Sequence, residues 1–220
     1  MKAGIVLSGC GYLDGSEIHE TVLLMLALEE KKFLYQGISL KKMQWDVINH
    51  YNKKKEKENR NILIESSRIM RGNIIDIKDA NIMSYDAIIF SGGFGVTKNF
   101  TNFFMKKNYT VNNEILDFSK KAFNKNIPMG FLCISAILMP FIYPRGIKLT
   151  IGNDIELANL LEKKGAKHIA SYPYEAVVDK KYQAVSTSAY MTGKTLSEIK
   201  LGINELVRNL FFFYIKQKNL

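Results

Sequence analysis

Cys133 is the residue of this sequence best placed for covalent chemistry. It follows the apolar run Gly130-Phe131-Leu132 without an intervening loop, and a segment with helical character begins just after it. We expect a thiol at a helix N-terminus to ionise readily, because the helix dipole stabilises the thiolate that attacks electrophiles. The alternative is a small apolar core residue, since unpaired cysteine is among the most buried residue types.

Such chemistry also needs donors for the oxygen that gains charge on attack. The turn Gly92-Gly93-Phe94-Gly95 follows an apolar strand-like run and offers the Gly93 N–H, and Ile134 offers a second one. The same glycines are consistent with a plain tight turn.

A proton carrier is the third requirement, and Glu17, His19 and Glu20 lie at the start of the first predicted helix. A carboxylic acid in a partly dry crevice can have a raised pKa and exchange protons with a thiol. Alternatively, both glutamates are ordinary first-turn residues favoured by the helix dipole.

Alternating strand and helix patterns predict an α/β fold: a doubly wound, mostly parallel sheet with helices on both faces. Strands are predicted in the segments 5–7, 33–40, 45–48, 86–90, 127–133, 148–151, 176–178 and 184–186. Helices are predicted from the N-cap Ser16 to 30, and in 61–71, 112–124, 154–163 and 197–215, with a short one from 135 that Pro140 cuts. On the first helix, the apolar face is predicted to be Ile18, Val22, Met25 and Leu26. The lysine-rich segment from Lys53 lacks periodicity and is predicted to be a loop.

Ligands of such sheets collect where the carboxyl ends of the strands meet. We therefore expect Gly9-Cys10-Gly11, the turn from Gly92 to Gly95, and Cys133 to share one crevice. Cys10 would then be a resolving thiol for Cys133, or else a packed turn residue.

The length of 220 residues and the 47% hydrophobic content predict one domain, residues 1–220. The net charge of +10 is spread along the chain. The densest basic cluster, Lys53 to Arg60, contains two glutamates and no aromatic residues, so we predict a solvated surface and no nucleic-acid partner. No apolar stretch approaches the ~18 residues that span a bilayer, so no membrane partner is expected.

Two cysteines cannot build a disulfide framework, and no Cys/His spacing matches a structural zinc site. We therefore expect no metal, no cofactor and a reducing compartment, the cytoplasm. An organellar protein whose presequence has been removed would show the same features.

The C-terminal helix carries an apolar stripe that is predicted to face the core: Leu206, Val207, Leu210, Phe211 and Tyr214. Docking on another chain is the alternative, and a homodimer is compatible with the sequence.

Long strings of the sequence resemble the ElbB family of the PfpI-like, class I glutamine amidotransferase-like superfamily. The resemblance runs nearly end to end. It is carried by segments 5–11, 14–20, 46–50, 60–61, 68–72, 92–95 with Lys98-Asn99, 130–134, 149–154 and 189–191.

The resemblance implies a flavodoxin-like sandwich with Cys133 as the nucleophile on an elbow. It places the glutamate that partners the thiol within Ser16 to Glu20, with Glu17 the first choice and Glu20 the second. Cys10, His19 and Asn99 become auxiliary candidates, and Gly92, Gly93, Phe94 and Ile134 candidates for binding substrate.

The activity implied by the resemblance is that of a glyoxalase. It converts glyoxal or a related small dicarbonyl to a hydroxy acid without glutathione or metal. Two departures argue against glutamine hydrolysis: the elbow lacks flanking glycines, and Thr150-Ile151-Gly152 stands where the triad histidine is expected. The competing hypotheses are a redox-sensing or chaperone-like protein that uses the same cysteine, and a scaffold subunit for a partner enzyme.

Overall fold

The computed structural model describes residues 1–105 and 108–218. In chain order its strands are β1 (Lys2–Leu7), β2 (Leu34–Ser39), β3 (Ile48–Asn49), β4 (Lys54–Lys55), β5 (Ile74–Asp76), β6 (Ala87–Phe90), β7 (Met129–Leu132), β8 (Lys148–Leu149), β9 (Lys167–His168), β10 (Val177–Asp179) and β11 (Ala184–Thr187). Its α-helices are α1 (Ile18–Glu30), α2 (Ile62–Ile69), α3 (Asn113–Asn124), α4 (Met139–Ile142), α5 (Ile155–Lys163) and α6 (Leu196–Lys218).

Seven strands form the central sheet, in the order β10-β11-β7-β6-β1-β2-β5. Its neighbouring strands run parallel except β10, which pairs antiparallel with β11. The two remaining pairs, β3-β4 and β8-β9, are separate short ribbons. The predicted mostly parallel, flavodoxin-like α/β fold is confirmed.

Strand β7 shows how the two faces of the sheet are covered. Successive side chains of a strand point to opposite faces. A Cβ at Gly130 would lie 2.9 Å from Leu206 Cδ2 of α6, so this residue faces α6. The next residue, Phe131, contacts Tyr143, which in turn contacts Phe123 of α3. The apolar stripe of α6 faces the sheet, and Leu206, Val207 and Leu210 are buried in the core, as predicted.

Helix α1 turns a different face to the core from the one predicted. Ile18, Val22 and Leu26 are 40%, 46% and 40% exposed, whereas Leu24, Ala27 and Leu28 are buried. Glu20 lies four residues before Leu24 on the buried stripe, so the helical repeat carries its carboxyl into the interior. The predicted N-cap Ser16 is also wrong, because the N-cap is Glu17.

Two other local predictions are wrong. Pro140 lies in the first turn of α4, where its missing N–H costs little, so it begins a helix instead of cutting one. Lys54–Lys55 pairs with Ile48–Asn49, so part of the predicted loop is a strand. The strand predicted at 148–151 is present as Lys148–Leu149, outside the central sheet. The sequence patterns missed β5 and β9.

Candidate active site

Cys133 lies on a sharp bend between β7 and a helical segment. Its φ is +54°, in the left-handed region that costs a non-glycine residue about 1–2 kcal/mol. Ser135 holds the bend closed, because its hydroxyl donates to Leu132 O at 2.7 Å and to Phe90 O at 3.1 Å. The thiol is 7% exposed and opens onto a cavity. The helical segment is a 3-10 turn, Cys133–Leu138, followed by the four residues of α4, so the macrodipole at the thiol is shorter than predicted.

The Glu20 carboxyl lies directly beneath this bend and is fully buried. Its Oε1 accepts a hydrogen bond from the Tyr190 N–H at 3.2 Å. Its Oε2 has no hydrogen-bond partner of good geometry among the described residues. A Cβ at Gly92 would overlap Oε2 and lie 2.7 Å from Cys133 Cβ. Gly92 therefore leaves the space in which the carboxyl and the thiol meet.

Burial controls the protonation of both groups. Burial, with the nearby Glu17 carboxylate as the next cause, raises the pKa of Glu20 to about 8. Burial also raises the pKa of Cys133 well above its ordinary value, with the Glu20 carboxyl next in importance. The Ile134 and Gly93 amides donate toward the sulfur and oppose that rise. Both shifts favour the protonated forms, a carboxylic acid beside a neutral thiol, whereas the sequence predicted a thiolate stabilised by the helix dipole.

Glu17 has a different position from Glu20. Its Oε2 caps α1 by accepting the Glu20 N–H at 2.6 Å, and its Oε1 lies 4.0 Å from His19 Nδ1. His19 Nδ1 also shares a 2.8 Å hydrogen bond with the Tyr190 hydroxyl. The first choice for the thiol's partner was therefore wrong: Glu20 touches the thiol, whereas Glu17 and His19 form a polar chain on the cavity wall.

The cavity above the thiol has a volume of about 480 Å³. The turn at Gly93 forms one side of it, with φ at +98° and no room for a Cβ beside Gly15 O. The residues that line the cavity are Tyr12, Glu17, His19, Gly93, Phe94, Cys133, Ile134, Tyr190 and Met191. A strained thiol, a buried acid and converging amides open into one apolar pocket, an arrangement suited to covalent attack on an uncharged electrophile.

Known proteins are similar to this chain in sequence and in fold. A human mitochondrial protein described as glutamine amidotransferase-like class 1 domain-containing protein 3 is 35% identical over 95% of this chain and 82% of its own length. The chain belongs to the class I glutamine amidotransferase-like superfamily. No protein-family model matches the sequence.

Solved structures place the chain in the same superfamily. An isoprenoid biosynthesis protein with an amidotransferase-like domain from Ehrlichia chaffeensis superposes with a TM-score of 0.91, at 32% identity over 97% of this chain and 99% of that one. Glyoxalase III from Candida albicans has a TM-score of 0.57 at 15% identity, covering 95% and 97% of the two chains. At that identity the second likeness concerns the fold alone.

Asn99 hydrogen-bonds to the turn after β1 and is not among the residues that line the cavity. Its Nδ2 donates to Ser8 O at 2.8 Å and to Asp14 O at 2.9 Å, and its Oδ1 accepts the Trp45 N–H at 2.9 Å. These three hydrogen bonds join the turn after β1 to the segment before β3. Asn99 is therefore a positioning residue for the turn that carries Tyr12.

Cys10 lies in the turn after β1 but outside the cavity. Burial raises the pKa of its half-buried thiol, and the Glu65 carboxylate, on α2, raises it further. The charged groups that influence Cys10 are Glu65, Arg68, Asp14 and Arg60, whereas Glu20 influences Cys133. The predicted role of Cys10 as a resolving thiol is therefore not supported by its position.

Sequence reasoning missed three residues of the cavity: Tyr12, Tyr190 and Met191. Tyr190 and Met191 belong to a single 3-10 turn, Ala189–Met191, that follows the end of β11. Strand-end position was the signal available for them, since β11 is the parallel neighbour of β7.

Among the described residues no group of three His, Cys, Asp or Glu side chains is arranged to hold a metal ion. No described helix is long and apolar enough to cross a membrane.

Proposed function

We propose that this chain is an ElbB-type glyoxalase that converts a small dicarbonyl to a hydroxy acid through Cys133, without glutathione or metal. The observation that supports it most directly is the buried Glu20 carboxyl, whose pKa of about 8 keeps it protonated beside the thiol at neutral pH. A carboxylic acid in that state can donate a hydrogen bond to sulfur as negative charge develops there.

The first step forms a bond between Cys133 Sγ and the aldehyde carbon. The thiol proton passes to the aldehyde oxygen, so the product is a neutral hemithioacetal. The Gly93 and Ile134 amides stabilise the oxygen while it carries charge. Glu20 stays protonated and stabilises the sulfur while the proton leaves.

The next steps move a proton and then add water. A base on the cavity wall, His19 or Glu17, removes the hydrogen of the former aldehyde carbon and returns a proton to the neighbouring carbon. The hydroxyl proton of the hemithioacetal passes to the oxygen of the neighbouring carbonyl. That carbonyl becomes a hydroxyl, and the hemithioacetal becomes a thioester. Water then hydrolyses the thioester, releasing the hydroxy acid and restoring the thiol. Overall, one dicarbonyl and one water give one hydroxy acid, and the reaction needs no external oxidant or reductant.

Replacing the nucleophile tests this proposal. Cys133→Ala should reduce glyoxal turnover at least about 1000-fold, because the covalent intermediate cannot form. Cys10→Ala, which removes the other thiol, should keep the rate within about twofold. The measurement is the rate at which hydroxyacetic acid forms per enzyme molecule, determined by chromatography. Turnover by Cys133→Ala at the wild-type rate would contradict the assignment of the nucleophile.

A redox-sensing protein is the second candidate function. The unbonded Glu20 Oε2 and the two amides that face the sulfur favour it, since a sulfinate at Cys133 would accept hydrogen bonds from all three. Intact-mass measurement after mild peroxide separates the candidates. Oxygen added at Cys133 in a protein with no aldehyde turnover supports the sensor, and rapid turnover supports the enzyme.

The compartment and the assembly stay predictions. Relatives from human and rat are named as mitochondrial proteins, so we propose that either the cytoplasm or an organelle keeps the two thiols reduced. A homodimer, which is compatible with the sequence, stays a prediction as well.

A further inference from the structure

The cavity over Cys133 is large for the smallest dicarbonyl. Its volume of about 480 Å³ lies within the range of roughly 300–1,000 Å³ typical of pockets for drug-sized ligands. Glyoxal has only four heavy atoms and would leave most of the wall without a partner. The shape therefore calls for a substituent on the carbonyl that fills the remaining space.

The wall offers that substituent an aromatic surface. Tyr12 and Phe94 are 40% and 39% exposed, with ring centroids 6.5 Å apart and planes at 42°. Phe104 contacts Phe94 edge-on from behind, at 6.1 Å. Exposed aromatic groups beside a reactive thiol are costly to hydrate and are typical of a ligand-binding surface.

This surface is held in place before any ligand binds. The Phe94 N–H donates to Tyr12 O at 2.7 Å, so the two turns that carry the rings are joined through their backbones. The Gly95 N–H donates to Gly15 O at 2.9 Å and joins the same turns again. A preformed apolar wall binds an apolar group without first paying for ordering of the chain.

The charged groups of the cavity wall disfavour an acidic substrate. No lysine or arginine is among its lining residues, and Glu17 is. The cation on the neighbouring helical turn, Lys98, is 7% exposed and already paired with Asp46 Oδ1 at 3.0 Å and with Leu13 O at 2.8 Å. A carboxylate or phosphate entering the cavity would meet the Glu17 carboxylate. The basic side chain of the described wall, His19, already lies 4.0 Å from Glu17 Oε1 and shares a hydrogen bond with the Tyr190 hydroxyl.

We propose that the substrate of the Cys133 cavity is an uncharged 2-oxoaldehyde with an aryl or comparably bulky apolar substituent, which packs against Tyr12 and Phe94. This inference rests on the proposed glyoxalase function and names its substrate class. The aldehyde carbon lies at Cys133 Sγ, and the substituent extends toward the two rings at the cavity mouth.

Initial rates with three probes test the substrate class. We expect kcat/KM for phenylglyoxal to exceed that for glyoxal by at least about tenfold, because burying an aromatic ring contributes to transition-state binding. Adding a carboxylate in 4-carboxyphenylglyoxal should cancel most of that gain. Equal rates with phenylglyoxal and glyoxal, or a preference for the acidic probe, would overturn the inference and leave the proposed function standing.

Two variants locate the effect. Phe94→Ala should lower the ratio of phenylglyoxal to glyoxal kcat/KM at least about fivefold, since one face of the aryl site is lost. Phe212→Ala is the matched control, because Phe212 is a 60% exposed aromatic residue of α6 that does not line the cavity. The ratio should be unchanged in Phe212→Ala. A ratio that Phe94→Ala leaves unchanged would place the aryl group elsewhere and overturn the inference.

A binding measurement separates this inference from the reaction itself. Acetophenone is an unreactive, uncharged probe of the same shape, and benzoate is its acidic counterpart. Saturable binding of acetophenone that weakens in Phe94→Ala, with no benzoate binding and no dicarbonyl turnover, would refute the proposed function and retain the apolar specificity. Equal binding of the two probes, or binding of neither, would refute the specificity.

Discussion

The two thiols of this chain occupy contrasting environments at the carboxyl edge of the same sheet. Cys133 is strained, buried and backed by one carboxylic acid, and its open side faces apolar and aromatic groups. Cys10 is half-buried and surrounded by paired charges. There Glu65 binds Arg68 Nε at 3.0 Å and Arg60 Nη1 at 3.6 Å. The difference teaches that strand-end position alone does not make a reactive site. Reactivity also depends on whether the carboxyl beside the thiol is paired with a cation, as Glu65 is and Glu20 is not among the described residues.

The comparison predicts the largest effect for the acid behind Cys133. The Glu20 pKa is raised from 4.5 to about 8 in the folded protein. The native state therefore binds the Glu20 proton more tightly than the unfolded chain does. The resulting contribution to the unfolding free energy is fully present below pH 4.5 and is lost as the pH rises through about 8. Glu20→Gln cannot titrate. We expect the difference in unfolding free energy between wild type and variant to change by on the order of 4 kcal/mol across that window.

Urea unfolding at pH 5, 7 and 9 measures the Glu20 effect. Wild type should lose stability relative to Glu20→Gln as the pH rises. Glu156→Gln, at an exposed position in the first turn of α5, should follow the wild-type curve. Parallel curves for wild type and Glu20→Gln would show that Glu20 is ionised in the native protein, and the contrast between the two thiols would lose its basis.

A methyl group at Gly92 should have the next largest effect. It would overlap Glu20 Oε2 and press on Cys133 Cβ, so Gly92→Ala is expected to destabilise the fold by about 3 kcal/mol and to reduce turnover at least tenfold. Gly72→Ala is the control, since Gly72 has open space around it and only a φ of +83° to strain. It should cost about 1 kcal/mol and spare activity. Equal losses in both variants would show that a methyl group at Gly92 costs no more than the backbone strain at Gly72, and that the packing of acid on thiol does not limit the site.

The smallest effect concerns Cys10. Removing the Glu65 charge should lower the Cys10 pKa, because that carboxylate disfavours the thiolate and occupies Arg68 and Arg60. We expect Glu65→Gln to speed alkylation of Cys10 by iodoacetamide at pH 7 by about threefold. Peptide mass spectrometry reports both thiols at once, and the rate at Cys133 should stay unchanged. An unaltered or slower Cys10 rate would show that burial, not the charge cluster, controls this thiol.

The sequence by itself determined the sheet and the elbow. Apolar runs located β1, β6 and β7. The first two end in glycine turns, and the third leads directly to Cys133. These predictions succeeded because strand periodicity and turn chemistry are local properties, readable within a few residues. Membership of the superfamily was visible in the same strings, and the comparisons support it.

Only the tertiary structure decided which glutamate meets the thiol, which face of α1 is buried and which charged groups surround Cys10. Glu17 and Glu20 lie three residues apart, and local sequence favours neither as the partner. The packing of Leu24, Ala27 and Leu28 against the core rotates Glu20 inward and leaves Glu17 at the cap. The pKa values follow from that burial, because desolvation depends on everything that surrounds a carboxyl and not on its neighbours in the chain.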